Sequence, residues 1–168
     1  KIKDKMKIRA VTKEDYKQIA AIYNHYVAHS VATFETELVS SSDIKSRIKQ
    51  VEKRAFPWLV CESDGVVIGY AYADVWKERT AYQHCAEVTA YLAPEASGQG
   101  AGSALYDALL SELNQKELKA LIAVVTLPNE SSVKLHEKFG FEKAGHFSEV
   151  GRKFDQWLDV GYWQKNLK

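Results

Sequence analysis

The stretch Cys85-Ala86-Glu87-Val88-Thr89-Ala90-Tyr91-Leu92-Ala93-Pro94, continuing through Ser97-Gly98-Gln99-Gly100-Ala101-Gly102-Ser103, decides how the rest of the chain is read. Its first half has strand composition, and Pro94, which has no N–H to give a ladder, stops it. Its second half is rich in Gly and Ser and leads into Leu105, Leu109, Leu110 and Leu113, spaced as one face of a helix. Between a strand and a helix, absent side chains let backbone N–H groups close on an anion at the helix's positive end. A phosphate or pyrophosphate is the natural guest, and a flexible turn with a glycine cap is the plainer alternative.

Two other phosphate patterns can be tested on the same residues. A P-loop needs Lys followed by Ser or Thr after its last glycine, whereas Gly102 is followed by Ser103-Ala104. The dinucleotide fingerprint needs its third glycine at the sixth position, and here it falls at the fifth, behind a strand interrupted by Pro94.

Working outward, residues 8–11 read as an opening strand, and Thr12 before Lys13-Glu14-Asp15 as the N-cap of a helix with carboxylates in its first turn. Tyr16, Ile19, Ala20, Tyr23 and Val27 form its apolar stripe. Ser42 is taken to open a second helix, through Ile44, Ile48 and Val51 to about Arg54. Residues 58–62 and 66–75 are strands around Asp64-Gly65, a dipeptide suited to the positive φ angles of a tight hairpin. Residues 120–127 read as a buried strand, 131–139 as a short helix closed by Gly140, and 141–150 and 154–163 as two closing strands. The resulting order, β-α-α-β-β-β-α-β-α-β-β, implies a mixed α/β fold with a central sheet flanked by helices.

The chain's 168 residues suffice for one domain with its own core, and no repeat or linker divides it. Lys1 to Lys5 precede the only methionine, Met6, and are read as an appended or disordered leader, leaving 6–168 as a single domain. Twenty-three basic residues against twenty-two acidic ones give a net charge of +1, which argues against a nucleic-acid partner or an acidic membrane surface. Cys61 and Cys85 lack zinc-type spacing and are read as reduced core residues, with no metal expected. Neither a signal-peptide pattern nor a membrane-length apolar run is present, so a cytoplasmic protein is expected.

Several spaced motifs together carry a resemblance. Glu87-Val88-Thr89-Ala90-Tyr91-Leu92, Pro94, the Gly98, Gly100 and Gly102 series with Leu105, and Pro128-Asn129, Ser132, Leu135-His136-Glu137 and Gly140-Phe141 occur in the order found in GNAT N-acetyltransferases. Within them the chain resembles the phosphinothricin and methionine sulfoximine group, which Ile22-Tyr23-Asn24-His25-Tyr26-Val27, Ser30, Thr33-Phe34-Glu35, Arg79 and Ala81-Tyr82 also match. The resemblance spans roughly residues 8–167. It implies a central twisted mixed sheet with helices on both faces, and acetyl-CoA as co-substrate. Ala90, Tyr91 and Leu92 would then meet the pantetheine and acetyl group, and Ser97, Gly98, Gln99, Gly100, Ala101, Gly102 and Ser103 the pyrophosphate. Asn129, with Ser132, would hold the pantetheine arm. Where the family usually carries Arg or Gln three residues before the middle glycine this chain has Ser97, so backbone donors would have to serve.

Acetyl transfer needs a free amine, and an alkyl amine titrating near pH ~10.4 is mostly protonated at neutrality. The resemblance implies Glu87 as general base, the Leu92 N–H as oxyanion donor and His136 as the acid for the leaving thiolate. A salt-bridged glutamate and a packed helix histidine are the plain alternatives for Glu87 and His136. Arg79 suits a substrate carboxylate because a guanidinium grips it with two parallel hydrogen bonds. Phe34, Glu35, Trp76 and Tyr82 complete the expected acceptor pocket. The expected acceptor is a small amino-acid-like amine, with another amine class or a non-catalytic acyl-CoA sensor as alternatives. The group's habit implies a homodimer.

Overall fold

The computed structural model describes residues 5–168, so the expectation for the leader falls mostly on residues outside the described ones. The elements follow the order read from sequence: β1 (Met6–Ala10), α1 (Tyr16–His29), α2 (Ser41–Lys53), β2 (Trp58–Ser63), β3 (Val66–Val75), β4 (Cys85–Leu92), α3 (Ala101–Leu113), β5 (Ala120–Leu127), α4 (Glu130–Lys138), β6 (Glu142–Lys153) and β7 (Gln156–Asn166). The seven strands form one mixed sheet in the order β1-β2-β3-β4-β5-β7-β6. Its strand pairs are antiparallel except β4 with β5.

Alternation along β4 shows how the helices divide. Tyr91 faces α1, its ring 5.3 Å from that of Tyr23 and 5.1 Å from that of Tyr26. Leu92 points to the opposite face, where its methyl lies 3.6 Å from the place a Cβ on Gly102 of α3 would take. The two faces close two apolar layers: Ile19, Val27, Ile44 and Ile48 from the first helices, and Leu105, Leu109 and Leu113 from α3, all essentially without solvent contact.

Local chemistry accounts for the boundaries. Asp64 and Gly65 have φ of 51° and 76°, the paired positive angles of the turn expected there. The second helix starts earlier than Ser42: Ser40 caps it, accepting from the Asp43 N–H at 3.0 Å while Asp43 accepts from the Ser40 N–H at 2.8 Å. Asp43 fits the third helical position only when Ser40 is the cap. Helix α3 likewise begins at Ala101, so Ala101 and Gly102 belong to a buried first turn rather than the loop. The last hairpin turns at Phe154-Asp155, with φ of 51° and 59°, which lengthens β6 beyond its expected end. A bulge between Phe147 and Gly151, with Glu149 at φ 52°, bends β6 on the way.

One irregularity matters most. β4 and β5 pair only through Cys85↔Ala120, Ala86↔Leu121 and Glu87↔Ile122. Beyond Glu87, β4 stays with β3 while β5 continues along β7 to Leu127↔Asp159, so the sheet opens into a cleft.

Candidate active site

The cleft exposes two strand edges whose backbone groups have no ladder partner. A buried amide left unmade costs about 1–3 kcal/mol, so such a cleft favours an extended guest that carries amides of its own. The Ala93 N–H donates to the Ile68 carbonyl at 2.8 Å, so alternation turns the N–H and C=O of Leu92 away from β3, into the cleft. The Leu92 carbonyl is taken by the Tyr26 hydroxyl. Its N–H faces the open side.

Two cavities meet there. The larger, about 690 Å³, runs from the Tyr26, Ser30 and Ala32 side, past β4, to the glycine loop and α4, and so passes through the sheet. Ala90, Tyr91, Leu92, Ser97, Gly98, Gly100, Gly102, Ser103, Asn129, Ser132 and His136 all line it, which brings together most of the residues expected to hold acetyl-CoA. Gln99 and Ala101 do not line it: Gln99 is exposed and Ala101 is buried in the first turn of α3. Gly100 holds φ at 91°, a left-handed conformation that costs an ordinary residue about 1–2 kcal/mol, and no side chain caps the helix it precedes. The first N–H groups of α3 therefore remain available to an anion. Lys134 and Lys138 of α4 also line this cavity, and the Lys138 ammonium donates to the Ser103 hydroxyl at 2.8 Å. These cations bring charge to the mouth where Ser97 brings none. Asn129 caps α4 through its Oδ1, 3.2 Å from the Ser132 N–H. These features fit a pyrophosphate-bearing, amide-containing arm.

The smaller cavity, about 480 Å³, is lined by Thr33, Phe34, Glu87, Phe147, Val150, Val160 and Tyr162, and shares Ala32, Val124 and Thr126 with the larger one. Glu87 is its one carboxylate. Burial raises the pKa of Glu87, and Asp74, directly opposite on β3, raises it further against the opposing pull of Lys77.

His136 is buried, with Nδ1 2.7 Å from the Ser132 carbonyl and Nε2 2.8 Å from the Tyr106 hydroxyl. A carbonyl can only accept, so Nδ1 carries the proton and Nε2 accepts from Tyr106. Burial lowers the His136 pKa, with the Ser132 carbonyl partly opposing. The ring is therefore neutral at pH 7. It acts on the cavity as one half of a Tyr106–His136 pair, rather than as the free imidazolium that a direct acid requires.

The acceptor residues are only partly assembled. Phe34 lines the smaller cavity, but Glu35 turns away to a two-point pair with Arg47, at 2.6 and 3.2 Å. Trp76, Arg79 and Tyr82 line neither cavity; Trp76 and Tyr82 pack edge to face at 5.4 Å, and Arg79 is exposed. Their loop leaves β3 next to Asp74 and returns into β4 next to Glu87. Residues that the sequence reading passed over include Tyr26, which lies off the apolar stripe of α1, and Val124 and Thr126, hidden in an unbroken apolar run that reads as fully buried. The alternation Thr126-Leu127 beside an exposed Val124 becomes meaningful only once β4 is known to part from β5.

Comparison with known proteins agrees with this geometry. Residues 8–161 match the acetyltransferase (GNAT) domain family, and the chain belongs to that family. It is an acetyl-CoA-dependent N-acetyltransferase. Among its relatives, the phosphinothricin N-acetyltransferase of Streptomyces viridochromogenes is 37% identical over 163 residues, covering 97% of this chain and 88% of the relative. The L-methionine sulfoximine/L-methionine sulfone acetyltransferase of Salmonella typhimurium is 33% identical over 165 residues, covering 96% and 95%. A phosphinothricin acetyltransferase from Sinorhizobium meliloti, solved in complex with acetyl-CoA, superimposes with a TM-score of 0.94 at 34% identity, covering 97% of this chain and 89% of that one. The chain thus falls in the phosphinothricin and methionine sulfoximine group.

Proposed function

We propose that this enzyme acetylates the primary amine of a small amino-acid-like molecule, of phosphinothricin, methionine sulfoximine or methionine sulfone type, by direct attack with Glu87 as general base. The observation that carries the reading is Glu87 itself, the single carboxylate of a largely apolar cavity that adjoins the cleft suited to acetyl-CoA. The amine arrives as an ammonium. Glu87, with its pKa raised, takes a proton directly or through one water, and the freed nitrogen attacks the thioester carbonyl. The Leu92 N–H donates to the oxyanion, a role that asks only for a donor held still, and Tyr26 helps by fixing the next peptide along the same strand edge through the Leu92 carbonyl. A C–N bond forms and the C–S bond breaks. The Tyr106–His136 pair gives one proton to the sulfur and regains one from water, while the two protons the ammonium loses leave by way of Glu87, so one proton net reaches solvent.

Arg79 is the cation for the substrate carboxylate. Among the described residues Arg9, Arg47, Arg54 and Arg152 each have a carboxylate partner, and Arg79 has none. Trp76 and Tyr82 would flank it, with Phe34 opposite; Glu35, held by Arg47, supports the Phe34 segment. The enzyme works as a homodimer, supported by Phe147, Val150, Phe154 and Trp157, all more than half exposed on one hairpin; light scattering that returns a monomer mass would reject this. A cytoplasmic setting accords with acetyl-CoA as co-substrate. No helix among the described residues is long and apolar enough to cross a membrane.

The test is free-thiol release from acetyl-CoA with methionine sulfoximine, phosphinothricin, glutamate, spermidine and a peptide N-terminus, using wild type and Arg79→Ala. Fast release with the first two amines, and a KM raised about tenfold or more by Arg79→Ala with kcat largely kept, is the expected result. Preference for spermidine would overturn the acceptor assignment.

A further inference from the structure

Lys153, at the end of β6, is only 3% exposed, and the ion pairs and cavities described above do not use it. Its ammonium lies 2.6 Å from the Ser30 carbonyl, 2.8 Å from that of Thr33 and 3.3 Å from that of Tyr26. Three protons meet three backbone acceptors, so the charge is satisfied without a carboxylate. Two of these acceptors belong to the end of α1: the Tyr26 carbonyl also accepts the Ser30 N–H, and Ser30 is the residue at which the helix stops. A cation there sits at the negative end of the helix, taking the Ser30 carbonyl, which lies past the last helical bond, and sharing that of Tyr26 with the Ser30 N–H. More than a hundred residues separate Lys153 from each of them.

A second grip lies two residues earlier on the same strand. A Cβ built on Gly151 would fall 2.4 Å from the Phe34 ring, so Phe34 rests directly on the Gly151 backbone. The hairpin thus holds residues 30–34 at one end by charge and at the other by a close-packed ring. This segment has no helix or strand of its own, and it lines both cavities: Ser30, Val31 and Ala32 toward the cleft, Ala32, Thr33 and Phe34 toward Glu87. The glycine loop and α4 lie at the other end of the larger cavity, and among the described residues no hydrogen bond joins them to residues 30–34.

We infer that Lys153, together with the Gly151–Phe34 contact, is a positioning device that sets the shape of the acceptor side through residues 30–34. This rests on the acetyltransferase reading for its kinetic consequence only; the pinning itself is a property of the fold. Lys153→Met keeps the length and removes the donors, leaving three inward carbonyls without them. Gly151→Ala keeps the ammonium and displaces the ring, so it tests the same segment with little risk to folding.

The experiment is hydrogen–deuterium exchange read on peptides covering residues 27–37, alongside acetyl-CoA affinity by calorimetry and steady-state kinetics with methionine sulfoximine. Expected for Lys153→Met is exchange in 27–37 faster by at least tenfold with 101–113 unchanged, acceptor KM raised about tenfold, and acetyl-CoA Kd within threefold of wild type. Gly151→Ala should raise the acceptor KM in the same selective way. Unchanged exchange in 27–37, or an acceptor KM and acetyl-CoA Kd that move together, would overturn the inference. Should Lys153→Met not fold, Gly151→Ala decides by the same measurements. If wild type turns over no amine, the function reading has failed, and the exchange pattern still decides the pinning.

Discussion

Replacing Glu87 by Gln keeps the shape of the acceptor wall and removes its proton acceptor, so the loss can be worked from the amine. At pH 7.4 an amine of pKa ~10.4 is unprotonated in about one molecule in a thousand, while an α-amino group near pKa ~8 is free in roughly one in five. The Glu87→Gln enzyme must wait for amine that is already free, which bounds the loss for the more basic acceptors at about a thousandfold. General-base contributions of about 10²–10⁴ bracket the same range, so kcat at pH 7.4 should fall by about 10²–10³ for an acceptor of pKa ~10.4, and by about fivefold or more for an α-amine near ~8. In the proposed role the wild-type carboxylate would do better than an exposed one, because burial, and then Asp74, lift its pKa toward that of the amine. Each unit of that approach is about 1.4 kcal/mol. The assay is thiol release at saturating acetyl-CoA and acceptor from pH 6 to 10. The variant should regain rate with a slope near one as the amine deprotonates, its KM for free amine little changed. With an acceptor amine of pKa ~10.4, a variant rate within fivefold of wild type at pH 7.4, or a loss that persists undiminished at pH 10, would refute Glu87 as base; with an α-amine near ~8 a variant rate equal to wild type would do so.

Two further outcomes follow from neighbouring charges. Asp74→Asn removes the like charge opposite Glu87 and leaves Arg54, which pairs with Asp74 at 3.0 Å, to Glu78 alone; loss of the like charge favours the Glu87 carboxylate, so the acid limb of the kcat profile should move to lower pH, and an unchanged limb would sink the coupling. His136 has a folded pKa below the ordinary histidine value of 6.5, so below that pH the unfolded chain binds a proton the folded chain does not. Stability from this group is therefore full above about pH 6.5 and falls as pH drops toward the folded pKa, by up to about 1.4 kcal/mol per unit. Urea unfolding at pH 5.5 and 7.5 should show the difference in wild type and a smaller one in His136→Gln.

The order of elements was legible because each rests on local chemistry: the Asp64-Gly65 turn, the leucine stripe of α3 and Pro94 all act within a few residues of where they stand. The lining of the larger cavity was legible for the same reason, since most of its expected groups lie on one strand, the loop after it and one further helix turn. The acceptor side was not. It is assembled from segments far apart in the chain, with Glu87 on β4, Val124 on β5 and Phe147 beside the β6 bulge, and no spacing records that they converge. Glu35 shows the limit in one residue: two places from Thr33, it is claimed by Arg47 of α2, a partner that only tertiary packing supplies. The turn at Phe154-Asp155 escaped because its first residue is not one that favours positive φ, and Lys153, a buried lysine, looks in sequence like any surface one.

The parted sheet has a mechanical consequence. Its two halves, β1 to β4 and β5 to β7, are stitched across the middle by three residue pairs, and helices, the bonds of His84 to Glu117 and Lys119, the Lys153 grip and whatever lies in the cleft add to the hold. A guest that bonds to both strand edges acts as the missing stitches. It stiffens the joint between the halves and adds stability in proportion to the logarithm of its concentration over Kd, about 2.7 kcal/mol at a hundredfold excess. The fold thus leaves part of its own cohesion to the small molecule it consumes, and is at its loosest between turnovers, when product must leave.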